Sequence, residues 1–196
     1  MSAIRTTENG LEDQVDRARS ILGDAIAEYR PVQVFAGFSG GYDSIVSTHF
    51  TMSELEHAAA LHLNTGIGIE RTREFVRQTA KDFGWGFHEQ RTETSYEDIV
   101  LGNLRTKCGT KQPYPGGFPG PPMHGFMYQR LKERPLEKAA SLARSSCGVP
   151  RKAGVTRWVM VVTGIRHDES QVRSGYKRAV SVQPSKGLVW INPFYF

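Results

Sequence analysis

The chain has 196 residues, 39% of them hydrophobic and 23% charged, and its formal net charge is +5 at pH 7. This composition predicts one soluble globular domain over residues 1–196, without the run of ~20 apolar residues that a membrane span needs. The positive charge suits a nucleotide or nucleic acid, and equally an ordinary mixed surface. No apolar centre of a secretory signal stands near the N-terminus, so we expect a cytoplasmic protein that does not bind membranes.

The N-terminal half alternates helical and strand patterns. Apolar residues recur at three- and four-residue steps over residues 11–29, which predicts an amphipathic helix within an N-terminal region of residues 1–30. Apolar runs at 32–36 and 58–64 predict buried strands. A helical pattern follows each strand, and the second pattern ends at Gly84, a plausible C-terminal stop.

The middle of the chain begins with a possible third strand at residues 85–90. Thr94 and Glu97 then have the spacing of a capping box, which predicts a helix that extends through Leu104. Residues 106–122 are dense in proline and glycine, so this segment is expected to be a loop without a regular ladder or helix.

The C-terminal part resumes helical spacing at residues 124–145, where Pro135 is expected to begin a second helix. The β-branched run at 157–164 predicts a strand covered on both faces, and 189–193 predicts another. Strands that alternate with helices predict an α/β fold, with an open, mostly parallel sheet and helices on both faces. Ligands of such sheets bind at the carboxyl ends of the strands.

The motif Ser-Gly-Gly-Tyr-Asp-Ser occupies residues 39–44, between the first strand and its helix. It matches neither the P-loop nor the dinucleotide fingerprint. The glycines still permit close backbone approach, and the following helix directs unpaired N–H groups and a positive dipole end at the turn. Ser39 and Ser44 add hydroxyls, and Asp43 could cap the helix or bind Mg²⁺. The motif predicts a phosphate-binding turn; the alternative is a simple glycine-rich turn with an Asp cap.

Three blocks together resemble the PP-loop ATP pyrophosphatases and, within them, the phosphoadenosine phosphosulfate (PAPS) reductase-like family. The turn at 39–44 is similar to the family's Ser-Gly-Gly-x-Asp-Ser signature. Residues 63–76 resemble its second strand, Asp-Thr-Gly turn and helix, with Asn64 where Asp is usual. Residues 162–173 resemble its Gly-x-Arg-x-x-Glu-Ser-x-x-Arg segment. The resemblance implies an adenine nucleotide α-hydrolase-like (Rossmann-like) fold that binds or cleaves a nucleotide at the α-phosphate.

The resemblance also indicates which residues form the site. Asp43, Arg166 and Arg173 are the predicted catalytic residues, and Asp43 is the predicted Mg²⁺ ligand. The two arginines could present fixed cationic forks to phosphate or sulfate oxygens; the alternative is a surface Glu–Arg pair beside a solvated arginine. The predicted nucleotide-binding residues are Ser39, Gly40, Gly41, Tyr42, Asp43, Ser44, Asn64, Thr65, Gly66, Gly164, Ile165, Arg166, Glu169 and Ser170.

The leading functional prediction is an ATP-binding enzyme that cleaves ATP to AMP and pyrophosphate and adenylylates or sulfurates an unidentified acceptor, with Mg²⁺. One alternative is a thiol-dependent reductase of PAPS or APS; members of this kind use a cysteine in a C-terminal tail, and no cysteine follows Cys147 here. Another is a non-catalytic nucleotide- or nucleic-acid-binding subunit of a sulfur-modification complex. Tyr42 replaces a lysine that is frequent in the family, which removes a possible phosphate-neutralising cation. A homo-oligomer is also expected.

Two cysteines, Cys108 and Cys147, are too few for a four-thiolate cluster, so no iron–sulfur cluster is expected. Cys108 lies beside Lys107 in the glycine-rich loop and is the candidate reactive thiol; the alternative is that both thiols are passive. Aromatic and basic residues share the segment 114–134 and could clamp a nucleobase or a strand, or form an ordinary loop and basic helix. His62 is expected to be a satisfied core or rim residue.

Overall fold

The computed structural model describes residues 8–104, 116–150, 154–165 and 178–195. In these residues six strands form one sheet in the order β3-β2-β1-β4-β6-β5. Neighbouring strands are parallel except for β5 and β6, which pair antiparallel. The predicted open, mostly parallel sheet is therefore confirmed. The strands are β1 Gln33–Gly37, β2 Ala59–Asn64, β3 Phe87–Arg91, β4 Val159–Val162, β5 Val180–Gln183 and β6 Leu188–Ile191.

Helices cover both faces of this sheet, as predicted. Successive side chains of β4 alternate between the faces: Val159 and Val161 pack in the cluster that contains α6 residues, and Met160 and Val162 in the cluster that contains α1 residues. A strand buried on both sides needs an unbroken apolar sequence, which explains the β-branched run there. The helices are α1 Glu8–Tyr29, α2 Tyr42–Glu54, α3 Glu70–Asp82, α4 Tyr96–Val100, α5 His124–Tyr128 and α6 Arg134–Ser146. No helix within the described ranges is long and apolar enough to cross a membrane.

The start of α4 corrects the predicted capping box. Ser95 is the N-cap: its hydroxyl oxygen accepts a hydrogen bond from the backbone N–H of Asp98 at 2.9 Å and donates to the Asp98 carboxylate at 2.6 Å. The prediction of Thr94 and Glu97 was wrong by one residue, because the hydroxyl of Ser95 accepts from the backbone N–H three residues later and so caps the helix one position further along. The helix also ends at Val100, so Leu104 is buried beyond it.

The segment after the proline-rich loop is a continuous helical stretch in which 3₁₀, α and π turns follow one another. A 3₁₀ turn at Pro121–Met123 leads into α5, a π-helical turn at Gln129–Glu133 follows, and α6 continues to Ser146. Pro135 lies in the first turn of α6, as predicted. The predicted loop therefore ends earlier than expected, because prolines are tolerated in a first helical turn.

The C-terminal strands also differ from the prediction. The strand predicted at 157–164 is the shorter β4, and the one predicted at 189–193 is β6, which begins one residue earlier and ends two residues earlier. Strand β5 was missed: it has four half-buried residues and lacks the strong apolar pattern of a central strand. It forms a hairpin with β6 through a 3₁₀ turn that ends at Gly187, whose φ of +61° favours glycine.

Candidate functional site

The turn at residues 39–44 lies at the carboxyl end of β1, and β1 pairs with β2 on one side and β4 on the other. The chain proceeds from β1 to β2 and β3 in one direction, and later adds β4 in the opposite direction. The gap between β1 and β4 is therefore a topological switch point, the place where open α/β sheets bind ligands. The sequence motif thus lies where the topology favours a binding site.

Ser44 closes this turn from inside. Its hydroxyl donates to the carbonyl of Gly41 at 2.7 Å, and its oxygen accepts from the backbone N–H of Ser39 at 3.2 Å. The Ser39 hydroxyl also donates to it at 3.1 Å. Ser44 is buried whereas Ser39 is exposed, so Ser44 shapes the turn and Ser39 lies at its surface.

The two glycines of the turn have different surroundings. Gly40 has φ +87°, and a Cβ there would stand 3.0 Å from Val76 and 3.1 Å from Thr72, both on α3. Gly41 is the N-cap of α2 and has no side-chain capping bond, and a Cβ there would have no neighbour nearer than 3.8 Å. Gly40 therefore allows the turn to pack against α3, while Gly41 keeps the start of α2 open on its outer side.

Asp43 and Tyr42 belong to the first turn of α2. The predicted alternative of Asp43 as the helix cap was wrong, because Gly41 occupies the cap position. Asp43 is half-buried, and an acidic side chain in a first turn interacts favourably with the helix dipole. Tyr42 is 90% exposed.

Gly164 brings the end of β4 directly onto the start of α2. A Cβ at this glycine would lie 2.4 Å from the carbonyl oxygen of Asp43 and 3.0 Å from Oγ of Ser47. No side chain fits at such distances, so only glycine permits this approach of strand and helix. We call the Ser39–Ser44 turn together with Gly164 the packed junction; Ile165 follows it and is half-buried.

Asn64 ends β2 and has a partner for each polar atom of its amide. Its Oδ1 accepts from the backbone N–H of Gly66 at 3.0 Å, and its Nδ2 donates to Glu89 Oε1 at 2.6 Å. Gly66 has φ +78°, so the Asn64–Gly66 turn depends on glycine there. Thr65, between them, is half-buried.

Glu89 on β3 and Arg77 on α3 complete this arrangement, and sequence reasoning missed both. Arg77 donates two hydrogen bonds to the Glu89 carboxylate, at 2.7 and 2.9 Å. The bonds from Arg77, and then that from Asn64, lower the pKa of Glu89 to about 2 although burial opposes the shift. A glutamate inside a strand pattern is the signal that could have drawn attention to it. We call Asn64, Arg77 and Glu89 the polar network.

Asn192, also missed, supports the other side of the site. It is 2% exposed; its Oδ1 accepts from the hydroxyl of Thr163, and its Nδ2 donates to the carbonyl of Arg178 at 3.2 Å. Thr163 immediately precedes Gly164, so Asn192 fixes the residue that leads into the packed junction. His62 is satisfied as expected: its Nδ1 lies 2.9 Å from the carbonyl oxygen of Phe38.

Several predicted residues lie outside the described residues, namely Arg166, Glu169, Ser170, Arg173 and Cys108. Cys147 lies at the end of α6, where its thiol donates to the carbonyl of Arg144 at 3.2 Å. The role of Cys108 as the reactive thiol therefore stays a prediction.

The donor set at the turn suits a metal ion that a nucleotide carries. Within the described parts of the chain, no group of three or more His, Cys, Asp or Glu residues could hold a metal ion. Asp43 supplies one carboxylate at the turn, and Mg²⁺ in nucleotide sites usually combines one or two carboxylates with phosphate oxygens and waters. The residues thus fit Mg²⁺ shared with phosphates rather than a dedicated protein cage.

The sheet order and the glycine turn at the switch point define an α/β protein with an adenine nucleotide α-hydrolase-like fold. Residues 33–105 match the family described as phosphoadenosine phosphosulfate reductase domain. The resemblance to the PAPS reductase-like family that the sequence predicts is confirmed over these residues.

Solved structures show the same fold at low sequence identity. The chain is similar to phosphoadenylyl-sulfate reductase from Candida auris in a phosphate complex, with a TM-score of 0.54 and 16% identity, covering 99% of this chain and 82% of that one. It is also similar to Candida glabrata FMN adenylyltransferase in complex with ATP, with a TM-score of 0.57 and 13% identity, covering 100% of this chain. It spans only 54% of that adenylyltransferase. No curated protein matches the chain by sequence.

Proposed function

We propose that the chain binds ATP at the Ser39–Ser44 turn and cleaves it to AMP and pyrophosphate while activating an acceptor. The observation that carries this proposal is the position of the turn: it joins β1 to the N-terminus of α2 at the β1–β4 switch point. Helix N-termini at such points attract phosphate through their first N–H groups and the helix dipole. The family match over residues 33–105 supports an adenine nucleotide as the ligand.

The residues of the turn have separable roles in this proposal. Gly41 leaves room for phosphate oxygens to approach the first turn of α2, and the exposed Ser39 hydroxyl rotates away from Ser44 to donate to them. Asp43 shares Mg²⁺ with the phosphates, and the ion offsets their negative charge. Ser44 takes no part in binding, since its hydroxyl already holds the turn closed.

The proposed reaction is an in-line substitution at the α-phosphorus. An acceptor oxygen or sulfur forms a bond to the α-phosphorus, the bond to the bridging α–β oxygen breaks, and pyrophosphate leaves with that oxygen. The acceptor's proton passes to solvent, and AMP is released when water or a second nucleophile displaces it from the adenylylated acceptor. Arg166 and Arg173 are the proposed cationic partners of the phosphates, because guanidinium forks bind phosphate oxygens in pairs. The protein's contribution is chiefly positioning and charge stabilisation.

A second candidate is reduction of PAPS or APS by a thiol. The description of the matching family favours it, as does the similarity to a PAPS reductase structure. A third candidate is a nucleotide- or nucleic-acid-binding subunit without turnover, for which the exposed Tyr42 is the supporting observation. Assembly with a second copy or a partner protein is part of this third proposal.

Product analysis separates the candidates. The purified chain is incubated with Mg²⁺ and ATP, or with PAPS or APS and a thiol donor. AMP with pyrophosphate supports the leading proposal, sulfite supports reduction, and binding without products supports the subunit. Absence of binding to all three nucleotides would overturn the nucleotide site itself.

Two variants test the turn directly. Gly41→Val and Asp43→Ala are each expected to abolish ATP binding by calorimetry while melting within a few degrees of wild type, because both change a surface turn rather than the core. Glu54→Gln, on the same helix but paired with Arg19 at its far end, serves as the control and should bind as wild type. Wild-type affinity in both turn variants would refute the assignment of this turn.

A further inference from the structure

The polar network connects three separate elements at one carboxylate. Glu89 is on β3, Asn64 is the last residue of β2, and Arg77 lies in the middle of α3. Asn64 Nδ2 and an Arg77 terminal nitrogen bind Glu89 Oε1 at 2.6 and 2.9 Å, and Arg77 Nε binds Oε2 at 2.7 Å. Arg91, on the same strand as Glu89, adds a longer ion pair of 3.6 Å to Oε1. The side chain of Glu89 is only 16% exposed, so these bonds form largely away from water. One ionised side chain thus bridges the end of β2 and helix α3.

The end of β2 and helix α3 both border the Ser39–Ser44 turn. Asn64 holds the amide of Gly66 and so sets the course of the chain immediately after β2, the strand next to β1. Helix α3 packs against the turn itself, because Thr72 and Val76 are the nearest neighbours of a Cβ placed on Gly40. A shift of α3 would therefore press Thr72 or Val76 against Gly40. Loss of the bond between Asn64 and Glu89 would release the Asn64–Gly66 turn.

We propose that Glu89 is a positioning residue of the nucleotide site, which holds the Asn64–Gly66 turn and helix α3 in a fixed relation to the Ser39–Ser44 turn. This inference rests on the proposed function for the ligand that the site binds. Glu89 touches no nucleotide in this proposal and acts through Asn64 and Arg77. The low pKa of Glu89 agrees with it, since the carboxylate stays ionised at neutral pH.

The proposal also assigns a reason for the amide at position 64. An aspartate there would place a carboxylate oxygen about 2.6 Å from Glu89 Oε1, where two negative charges repel and the donor of the bond is lost. Asn64→Asp is nearly isosteric, so it tests charge and hydrogen bonding with little change in volume. Exchanging the two groups, in the double variant Asn64→Asp with Glu89→Gln, restores one carboxylate and one amide across the same contact.

The experiment measures ATP affinity by calorimetry in the full 196-residue chain with four variants. Glu89→Gln and Asn64→Asp are each expected to weaken ATP binding about tenfold, and the double variant should bind more tightly than the two losses combined predict, because it restores the contact at position 64 but not the ion pair with Arg77. Glu93→Gln is the matched control: it makes the same chemical change just after β3, at an exposed carboxylate that pairs with Lys138 on α6, and should change affinity less than twofold. Wild-type affinity in Glu89→Gln, or a double variant as weak as the two single losses combined, would overturn the proposal.

A second measurement separates this proposal from the proposed function. Amide hydrogen exchange at Gly66 in the nucleotide-free chain should accelerate in Glu89→Gln and return in the double variant, whereas Glu93→Gln leaves it unchanged. If wild type binds no nucleotide, the proposed function fails, and unchanged Gly66 exchange in Glu89→Gln then excludes the positioning role as well. If Gly66 exchange accelerates in Glu89→Gln but wild type binds no nucleotide, Glu89 still positions the Asn64–Gly66 turn, but the site that it supports does not bind a nucleotide.

Discussion

The two sides of the candidate site are built from different physical interactions. In the packed junction, Gly164 of the β4 end approaches the backbone of Asp43 so closely that a Cβ would lie 2.4 Å away. In the polar network, Glu89 is held by an amide and a guanidinium through directional bonds of 2.6 to 2.9 Å. The first side depends on the close approach of two backbone segments, and the second depends on charge and on directional hydrogen bonds. A site of this kind can be disrupted in two independent ways, which the following experiments distinguish.

The largest effect is expected from added volume in the packed junction. Gly164→Ala should destabilise the chain by about 3 kcal/mol and weaken ATP binding at least tenfold, because strand and helix must separate to accept the methyl group. Gly86→Ala is the control, since a Cβ there meets nothing nearer than 3.7 Å. Denaturant unfolding and calorimetry measure both quantities. A Gly164→Ala protein with wild-type stability would show that the junction is not close-packed.

The second effect concerns the charge of the polar network. The pKa of Glu89 is lowered from 4.5 to about 2, so its contribution is complete above its ordinary pKa and is lost as the pH falls from about 5 toward 2. Between about pH 5 and pH 2, the free energy of unfolding should fall by about 2 kcal/mol less in Glu89→Gln than in wild type. Gly164→Ala should keep the full dependence. Equal slopes in Glu89→Gln and wild type would contradict the ionic description of this side.

A smaller effect is expected where a hydrogen bond supports the packed junction. Thr163→Val keeps the branched shape and removes the hydroxyl that donates to Asn192 Oδ1. Because Asn192 is buried, its oxygen loses a partner, and the expected loss is about 1.5 kcal/mol. ATP affinity should fall less than in Gly164→Ala. An unchanged melting temperature would indicate that Asn192 does not support this strand end.

The smallest effect lies outside both sides and gives a baseline. Ser95→Ala should cost about 1 kcal/mol by removing the N-cap of α4, with ATP affinity unchanged. Thr94→Ala should stay within a few tenths of a kcal/mol of wild type, because Ser95 and not Thr94 caps the helix. A larger loss of stability in Thr94→Ala than in Ser95→Ala would instead support the capping box of Thr94 and Glu97 predicted from the sequence.

The packed junction was easier to predict from the sequence than the polar network. Residues 39–44 form a local pattern between a strand and a helix, and the order of elements places them at a carboxyl edge. Sequence could not show that Gly164 meets Asp43, because that contact joins residues far apart in the chain. It did not indicate Glu89 or Arg77 either, since pairing between β2 and β3 brings Glu89 to Asn64 only in the folded register.

The errors in the fold have similar causes. The central strands and the amphipathic helices were predicted because periodicity records burial directly. Strand β5 was missed because an edge strand gains its stability from its partner in the hairpin rather than from its own apolar residues. The cap of α4 was displaced by one residue because two overlapping Ser/Thr–acid pairs both satisfy the local rule. The binding roles of the site residues, Arg166 and Arg173 included, stay predictions.

The pairing of β1 with β4 has a consequence for how the protein acquires its site. Gln33 pairs with Val159, so the strand that carries the glycine turn and the strand that completes its surroundings are separated by most of the chain. Contacts of large sequence separation form late, since the entropy of closing the long loop must be overcome first. During synthesis the turn emerges well before β4, and Gly164 cannot yet contact α2. Nucleotide added during refolding should therefore bind only in the last phase, after the β1–β4 pairing has formed.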